Sequence, residues 1–140
     1  MNVTLPTLHP DHPLPDVDDP IAAPFWESCR RHELRLQRSR ASGKWIFPPR
    51  PHYAGDFAWV PVCGRGRILT FVVVRPPFLP AFATKVPFVI AIVELDEGPR
   101  LVGHVLDCPI DRVRSDMRVE VVYEDLTDRV TLPQWKPAKA

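Results

Sequence analysis

The stretch FVIAIVELDEGPRLVGHVLD, residues 88–107, decides the fold. Two apolar runs, 88–95 and 100–106, flank Asp96-Glu97-Gly98-Pro99. Val and Ile dominate the first run, which is apolar on both strand faces as far as Glu94. β-Branched side chains fit a pleated, buried surface, so this run predicts a central strand covered on both sides. Gly98 takes a positive φ at little cost and Pro99 cannot donate to a strand ladder, so the pair marks a connection. The second run alternates, with Leu101, Gly103 and Val105 on one face and Val102, His104 and Leu106 on the other. Together the runs predict a β-hairpin at the heart of a sheet.

The neighbouring segments extend that sheet. On the N-terminal side, 67–74 reads as a long strand after a turn or bulge at Gly64-Arg65-Gly66, and 57–62 as a shorter one interrupted or ended by Pro61. The loop 75–86 lies between strands and holds Pro76, Pro77, Pro80, Phe78 and Phe82. On the C-terminal side, 108–116 carries one helical turn around 110–114, and 117–123 alternates as the last strand. Residues 130–135 read as a short extended tail. Five strands in about 70 residues, with one connection long enough to cover a barrel end, predict a small closed barrel of the oligonucleotide/oligosaccharide-binding (OB) type; a generic sandwich competes.

Upstream, 24–32 reads as a short helix: Pro24 suits the first helical position, and Arg30, Arg31 and His32 complement its C-terminal end. Residues 33–38 alternate, with Leu34 and Leu36 on one face; a turn around Gly43 returns the chain through Trp45-Ile46-Phe47, and Pro48, Pro49 and Pro51 end that strand. Residues 1–23 hold Pro6, Pro10, Pro13, Pro15 and Pro20, four aspartates and no Lys or Arg. Such a segment buries little apolar surface. It reads as a flexible arm, either disordered or wrapped on a partner through Leu5, Leu8, Leu14 and Val17.

At 140 residues the chain is close to one ordinary domain. A net charge of +1 leaves no global field to recruit nucleic acid or an anionic membrane. Cys29, Cys63 and Cys108 are odd in number and scattered, a poor disulfide framework that favours a reducing compartment. No apolar run reaches the ~18 residues of a membrane span. The first residues lack a basic-then-apolar signal. These features predict a soluble cytoplasmic protein.

Five segments carry a family resemblance: PFWESCRRHELRLQRS (24–39), GKWIFPPRP (43–51), WVPVCGRG (59–66), VELDEGPRLVGHVLD (93–107) and MRVEVVYEDLTDRVTLPQWKPA (117–138). In order and spacing they resemble the acyl-CoA-associated proteins that join a zinc ribbon to an OB-fold, once classed as a domain of unknown function. The resemblance implies a mainly β chain: a flexible arm (1–23), an N-terminal helix with a degenerate rubredoxin-like ribbon (24–56), and a five-stranded OB-fold barrel (57–140). The family carries two Cys-x-x-Cys knuckles whose four thiolates close a tetrahedral zinc site. Here Ser39 and Ser42 stand where the first pair would be, and the second knuckle is shortened to His52-Tyr53-Ala54-Gly55. Serine hydroxyls are poor zinc ligands, and one histidine cannot compensate. The expectation is therefore no zinc and no other cofactor, with the ribbon held by Leu34, Leu36, Trp45, Phe47 and Tyr53.

The resemblance also implies work. Family members are small partner subunits of thiolase-superfamily enzymes: thiolases, acyltransferases and the aldolases that shorten steroid side-chain CoA esters. Others accompany, or are fused to, enoyl-CoA hydratases. They contribute assembly, stability or part of an acyl-CoA channel, and no turnover by the chain alone is implied. The residues agree, since no nucleophile, base and orienter are evident together. Ser28, Ser39, Ser42 and Ser115 fall in a helix, a ribbon and surface turns; Cys63 lacks an evident base, and His104 reads as a packed or edge strand histidine.

Two surfaces remain. Arg30, Arg31, Arg35, Arg38, Arg40, Lys44 and Arg50 face Glu33 alone; they form either a solvated basic face or a patch for CoA phosphates or an acidic partner. The proline-stiffened loop offers Phe78, Leu79 and Phe82, either as core cover or as a docking surface. Partner or acyl-CoA contacts are accordingly assigned to Arg38, Arg40, Lys44, Arg50, Phe78, Leu79, Phe82 and Lys85. The expected assembly is a hetero-oligomer with a thiolase-like or hydratase-like subunit. Single-stranded nucleic acid on a basic, aromatic groove is the alternative, opposed by the mixed charge of the barrel portion.

Overall fold

The computed structural model describes residues 8–51 and 56–139. At its centre is the hairpin of β5 (Phe88–Leu95) and β6 (Arg100–His104), paired from Ile90 opposite His104 to Glu94 opposite Arg100. Gly98 turns the chain at φ 117°, a conformation open to glycine. β4 (Arg65–Val74) pairs along the other side of β5, with a register shift between Ile68 and Thr70 that bends and coils the strand. β7 (Arg118–Asp125) adds to β4, and β8 (Thr131–Pro137) to β7, giving the order β6-β5-β4-β7-β8. A parallel bridge between Val105 and Trp135 brings the two ends together, and the Leu106 N–H donates to the Trp135 carbonyl at 2.7 Å. The five strands form the nearly closed OB-type barrel that the sequence predicts.

Along β5, Val89, Ala91, Val93 and Leu95 turn inward and are buried. The outer face is not covered as expected: Ile92 is 36% exposed and its cross-strand neighbour Val102 64%. The run is apolar on both faces, but only the inner one is sealed.

α1 (Ala23–Arg30) has Pro24 in its first turn and ends before His32, whose φ of 57° breaks the helix. It buries Phe25 and Cys29. β1 (Arg35–Ser39) is the centre of a small sheet, flanked by β2 (Trp45–Ile46) and β3 (Phe57–Pro61). Two strand assignments therefore change. Residues 57–61, expected in the barrel, pair along their length with β1, and the expected C-terminal tail is the fifth barrel strand. Phe25, Cys29, Leu34 and Leu36 join Ile68, Val93 and Trp135 in one hydrophobic cluster, so helix, ribbon and barrel share a core.

His32, just past α1, is a second tie. Its Nε2 lies 2.9 Å from an Asp125 carboxylate oxygen that also accepts the Thr131 hydroxyl at 2.6 Å, and its ring stacks on Tyr123. The described part of the arm lies against its own chain: His12 sits 5.2 Å from the Phe82 ring and Asp18 pairs with Arg129. No described helix is long and apolar enough to cross a membrane.

Candidate functional site

The basic segment divides into committed and free charges. Arg40 is held by Asp56 at 2.6 Å. Arg38 lies over the Trp45 ring at 4.8 Å and donates from Nε to the Gly43 carbonyl. The Lys44 ammonium and the Arg50 guanidinium have no ion pair or hydrogen bond among the described residues, and both line a cavity of about 420 Å³ with Trp45 and Phe47. The cavity lies at the ribbon end, beside the Ser39–Ser42 turn. Ser39 Oγ there accepts the Ser42 N–H at 3.2 Å, and both side chains offer only hydroxyls to a metal. His52 and Tyr53 lie outside the described residues. The donors that are described do not suit zinc. Instead Gln37, 2% exposed, donates from Nε2 to the Arg50 carbonyl and accepts the Arg50 N–H, each at 2.8 Å.

The outer face of β4–β5–β6 changes character along its length. At one end Glu94 binds both Arg67 and Arg100, a charged row across three strands. The next row is Thr70, Ile92 and Val102; the one beyond is Val72, Ile90 and His104. Val72 is 59% exposed, and in the adjoining loop Phe78 is 81% and Leu79 42% exposed. Large apolar side chains left in water, on one barrel face and in the loop that follows β4, are the kind of feature that marks an interface. Phe82 differs from its two neighbours. It packs 5.4 Å from Phe88 and 6.2 Å from His104, with Lys85 Nζ 5.7 Å from its ring.

Between these two surfaces runs a groove of about 440 Å³. Phe25 and Trp26 of α1, Phe47 and Pro48 of the ribbon, and Leu132 and Pro133 of β8 form its walls. Ile90, Val102 and His104 supply the outer barrel face. Gln134 also lines it, yet both ends of its amide are used: Oε1 accepts the His104 N–H at 2.7 Å and Nε2 donates to Glu124. The His104 imidazole is stacked 4.7 Å from Phe88, and its ring nitrogens have no hydrogen-bond partner among the described residues. Burial pushes it below the ordinary histidine range; Lys85 and His12 act in the same sense, and Glu124 opposes them. A neutral imidazole keeps one donor and one acceptor for a ligand.

The sequence placed contacts on either side of this groove but not in it. His104 reads in sequence as a packed or edge residue and lies on the end strand β6, while Phe25, Trp26 and Leu132 carry no site signal, because four distant segments meet to make the walls. Val102 was the available clue: an apolar residue on the outward face of an alternating strand.

No nucleophile is assembled among the described residues. Cys29 is fully buried and its thiol is pushed up to about 12 by burial, against a hydrogen bond to Ser28. Burial also raises Cys63; an Arg65 backbone bond lowers it, and the adjoining Glu97 and Asp96 raise it further. A thiol so placed is a poor attacking group at neutral pH.

Residues 59–124 match the family described as ChsH2, C-terminal OB-fold domain. A DUF35 domain-containing scaffold protein of Methanocaldococcus jannaschii is 32% identical over 117 residues, covering 79% of this chain and 82% of that protein. The chain belongs to the DUF35 family. The 3-oxo-4,17-pregnadiene-20-carboxyl-CoA hydratase alpha subunit of Mycobacterium tuberculosis is 37% identical over 134 residues, 93% of this chain. The DUF35 chain spans only 42% of that relative's length. Among solved structures, a chain of the Ltp2-ChsH2(DUF35) aldolase superposes with a TM-score of 0.81 at 29% identity, covering 89% of this chain and 100% of that one.

Proposed function

We propose that this DUF35 chain is a non-catalytic accessory subunit that assembles with an enzyme acting on acyl-CoA esters and supports its stability or substrate binding. The observation that carries the reading is the exposed apolar surface of Val72, Ile92, Val102, Phe78 and Leu79, on a barrel whose described residues assemble no nucleophile. Buried against a second subunit, such a surface contributes roughly 25 cal/mol per Å² before the costs of ordering are subtracted. The relatives supply the partner class: one is named as a subunit of a CoA-ester hydratase, another belongs to an aldolase complex. Within that class we favour a thiolase-superfamily partner (thiolase, acyltransferase or retro-aldolase), because the superposition on the aldolase chain takes in the whole of that chain. A hydratase partner is the second reading, favoured by the 37% identity to the hydratase subunit. The ribbon in this reading works without zinc, its turn closed by Ser39 and its strap held by Gln37. Co-expression with a thiolase-like and with a hydratase-like subunit, followed by sizing and metal analysis, tests the proposal. A stable complex with one of them, and far less than one zinc per chain, is the expected result. A chain that stays alone, beside an enzyme soluble and active without it, overturns the assembly; about one zinc per chain overturns the metal-free ribbon.

A further inference from the structure

Phe78, Leu79 and Phe82 leave the same proline-stiffened loop, yet the first two stand in water and the third is half-buried. One of the rings packed on Phe82 belongs to the chain's own arm: His12 sits 5.2 Å from it, tilted by 59°. Further along the arm, Asp18 pairs with Arg129 in the turn between β7 and β8. The arm therefore runs from the start of α1 to the loop that feeds β5 and seats at both points.

Its hold is weak. Pro10, Pro13, Pro15 and Pro20 have no N–H to give, so the arm cannot zip onto a sheet edge. Its own backbone donors are spent locally: the Asp11 and His12 N–H groups donate to His9, and those of Asp18 and Ile21 to the Asp16 and Asp19 carboxylates. Asp18 and Arg129 are both mostly exposed, where an ion pair is worth little. A cavity of about 160 Å³ stays open between Val17 and Asp18 of the arm and Trp26, Glu27 and Arg30 of α1. The prolines also stiffen the undocked arm, so seating it costs little entropy. A segment held by so few contacts opens and closes while the barrel stays folded.

Resting on the accessory-subunit reading, we propose that residues 9–22 are an autoinhibitory cover: docked through His12 on Phe82 and Asp18 on Arg129, they block one end of the loop surface that seats the partner, and the partner binds after they let go. Cover and partner compete for Phe82, so the complex is weaker by the fraction of chains that are closed. In the free chain the cover keeps a third large apolar side chain from standing in water beside Phe78 and Leu79.

NMR of the free full-length chain, and calorimetric titration with the thiolase-like and hydratase-like subunits, test this together. Wild type shows cross-relaxation between the His12 and Phe82 rings. Asp18→Arg sets two cations against each other at an exposed site and weakens that signal, and adding Arg129→Asp restores it. In the titration Asp18→Arg binds its partner about threefold tighter than wild type, the worth of one exposed ion pair, and the double variant returns to wild-type affinity. A free chain without the ring contact overturns the proposal. So does an Asp18→Arg chain that binds no tighter than wild type, because the arm is then a bystander or part of the interface. In both of those cases the accessory reading stands if a complex forms. If neither subunit binds any of the three chains, that reading falls and the cover falls with it.

Discussion

Replacing Gln37 by Leu removes the side-chain clamp on the Arg50 strap, which under the zinc-free proposal holds the ribbon. Gln37 is 2% exposed, and both ends of its amide are spent on the Arg50 backbone at 2.8 Å. A net hydrogen bond is worth about 1 kcal/mol, and a buried group left unpaired costs about 1–3 kcal/mol. Arg50 is exposed as a residue and both bonds are only part-buried, so the lower value applies to each bond. Leucine is close in volume and leaves little cavity. The expected loss is therefore about 2 kcal/mol, or about 6 °C in Tm for a domain of this size. Urea unfolding at constant slope measures it, with and without a chelator. Gln37→Glu should lose more, since it sets a second acceptor against the Arg50 carbonyl and buries a charge. A Leu variant within about 0.5 kcal/mol of wild type refutes the clamp. So does a wild type that the chelator destabilises, because metal would then be holding the ribbon.

Other outcomes follow from particular contacts. A Cβ at Gly103 would lie 2.8 Å from Trp135 Nε1, itself fully buried and without a hydrogen-bond partner among the described residues, so Gly103→Ala should cost about 1–3 kcal/mol in urea unfolding. Burial alone would raise Asp125, but hydrogen bonds from Thr131 and His32 and the charge of His32 outweigh it and hold the carboxyl below its usual range. Its contribution is therefore complete above the unfolded value near 3.9 and lost as pH falls through the lower folded value. Asp125→Asn should lower stability at pH 7 and flatten the acid limb of a pH–stability curve. Iodoacetamide at pH 8 should leave Cys29 unmodified in the folded chain and react with Cys63 more slowly than with a free thiol, as mass spectrometry of digests can score.

Much of the barrel was legible because its signals are local. Alternation put Leu101, Gly103 and Val105 inward, and Gly98-Pro99 marked the turn. What alternation cannot give is the partner of a strand. Residues 57–61 read as β and are β, yet their ladder runs to β1 across the ribbon. β8 was hidden by Pro133 and Pro137, which are tolerated because this strand sits at the end of the sheet order, where an unused donor costs nothing. Gln37 looked like an outward polar residue beside Leu36, and its burial depends on a strap 13 positions away in sequence. The groove was illegible for the same reason: its walls come from α1, the ribbon, the hairpin and β8, and only folding brings them together.

The most direct measurement is the mass in solution of the co-expressed chain and thiolase-like subunit, compared for wild type and Phe78→Asp. Phe78 is 81% exposed, so the variant retains its fold and Tm while placing a charge in the proposed contact. The account predicts a hetero-oligomer with wild type and separate species with Phe78→Asp. Separate species in both cases, with the hydratase-like subunit as with the thiolase-like one, would contradict it.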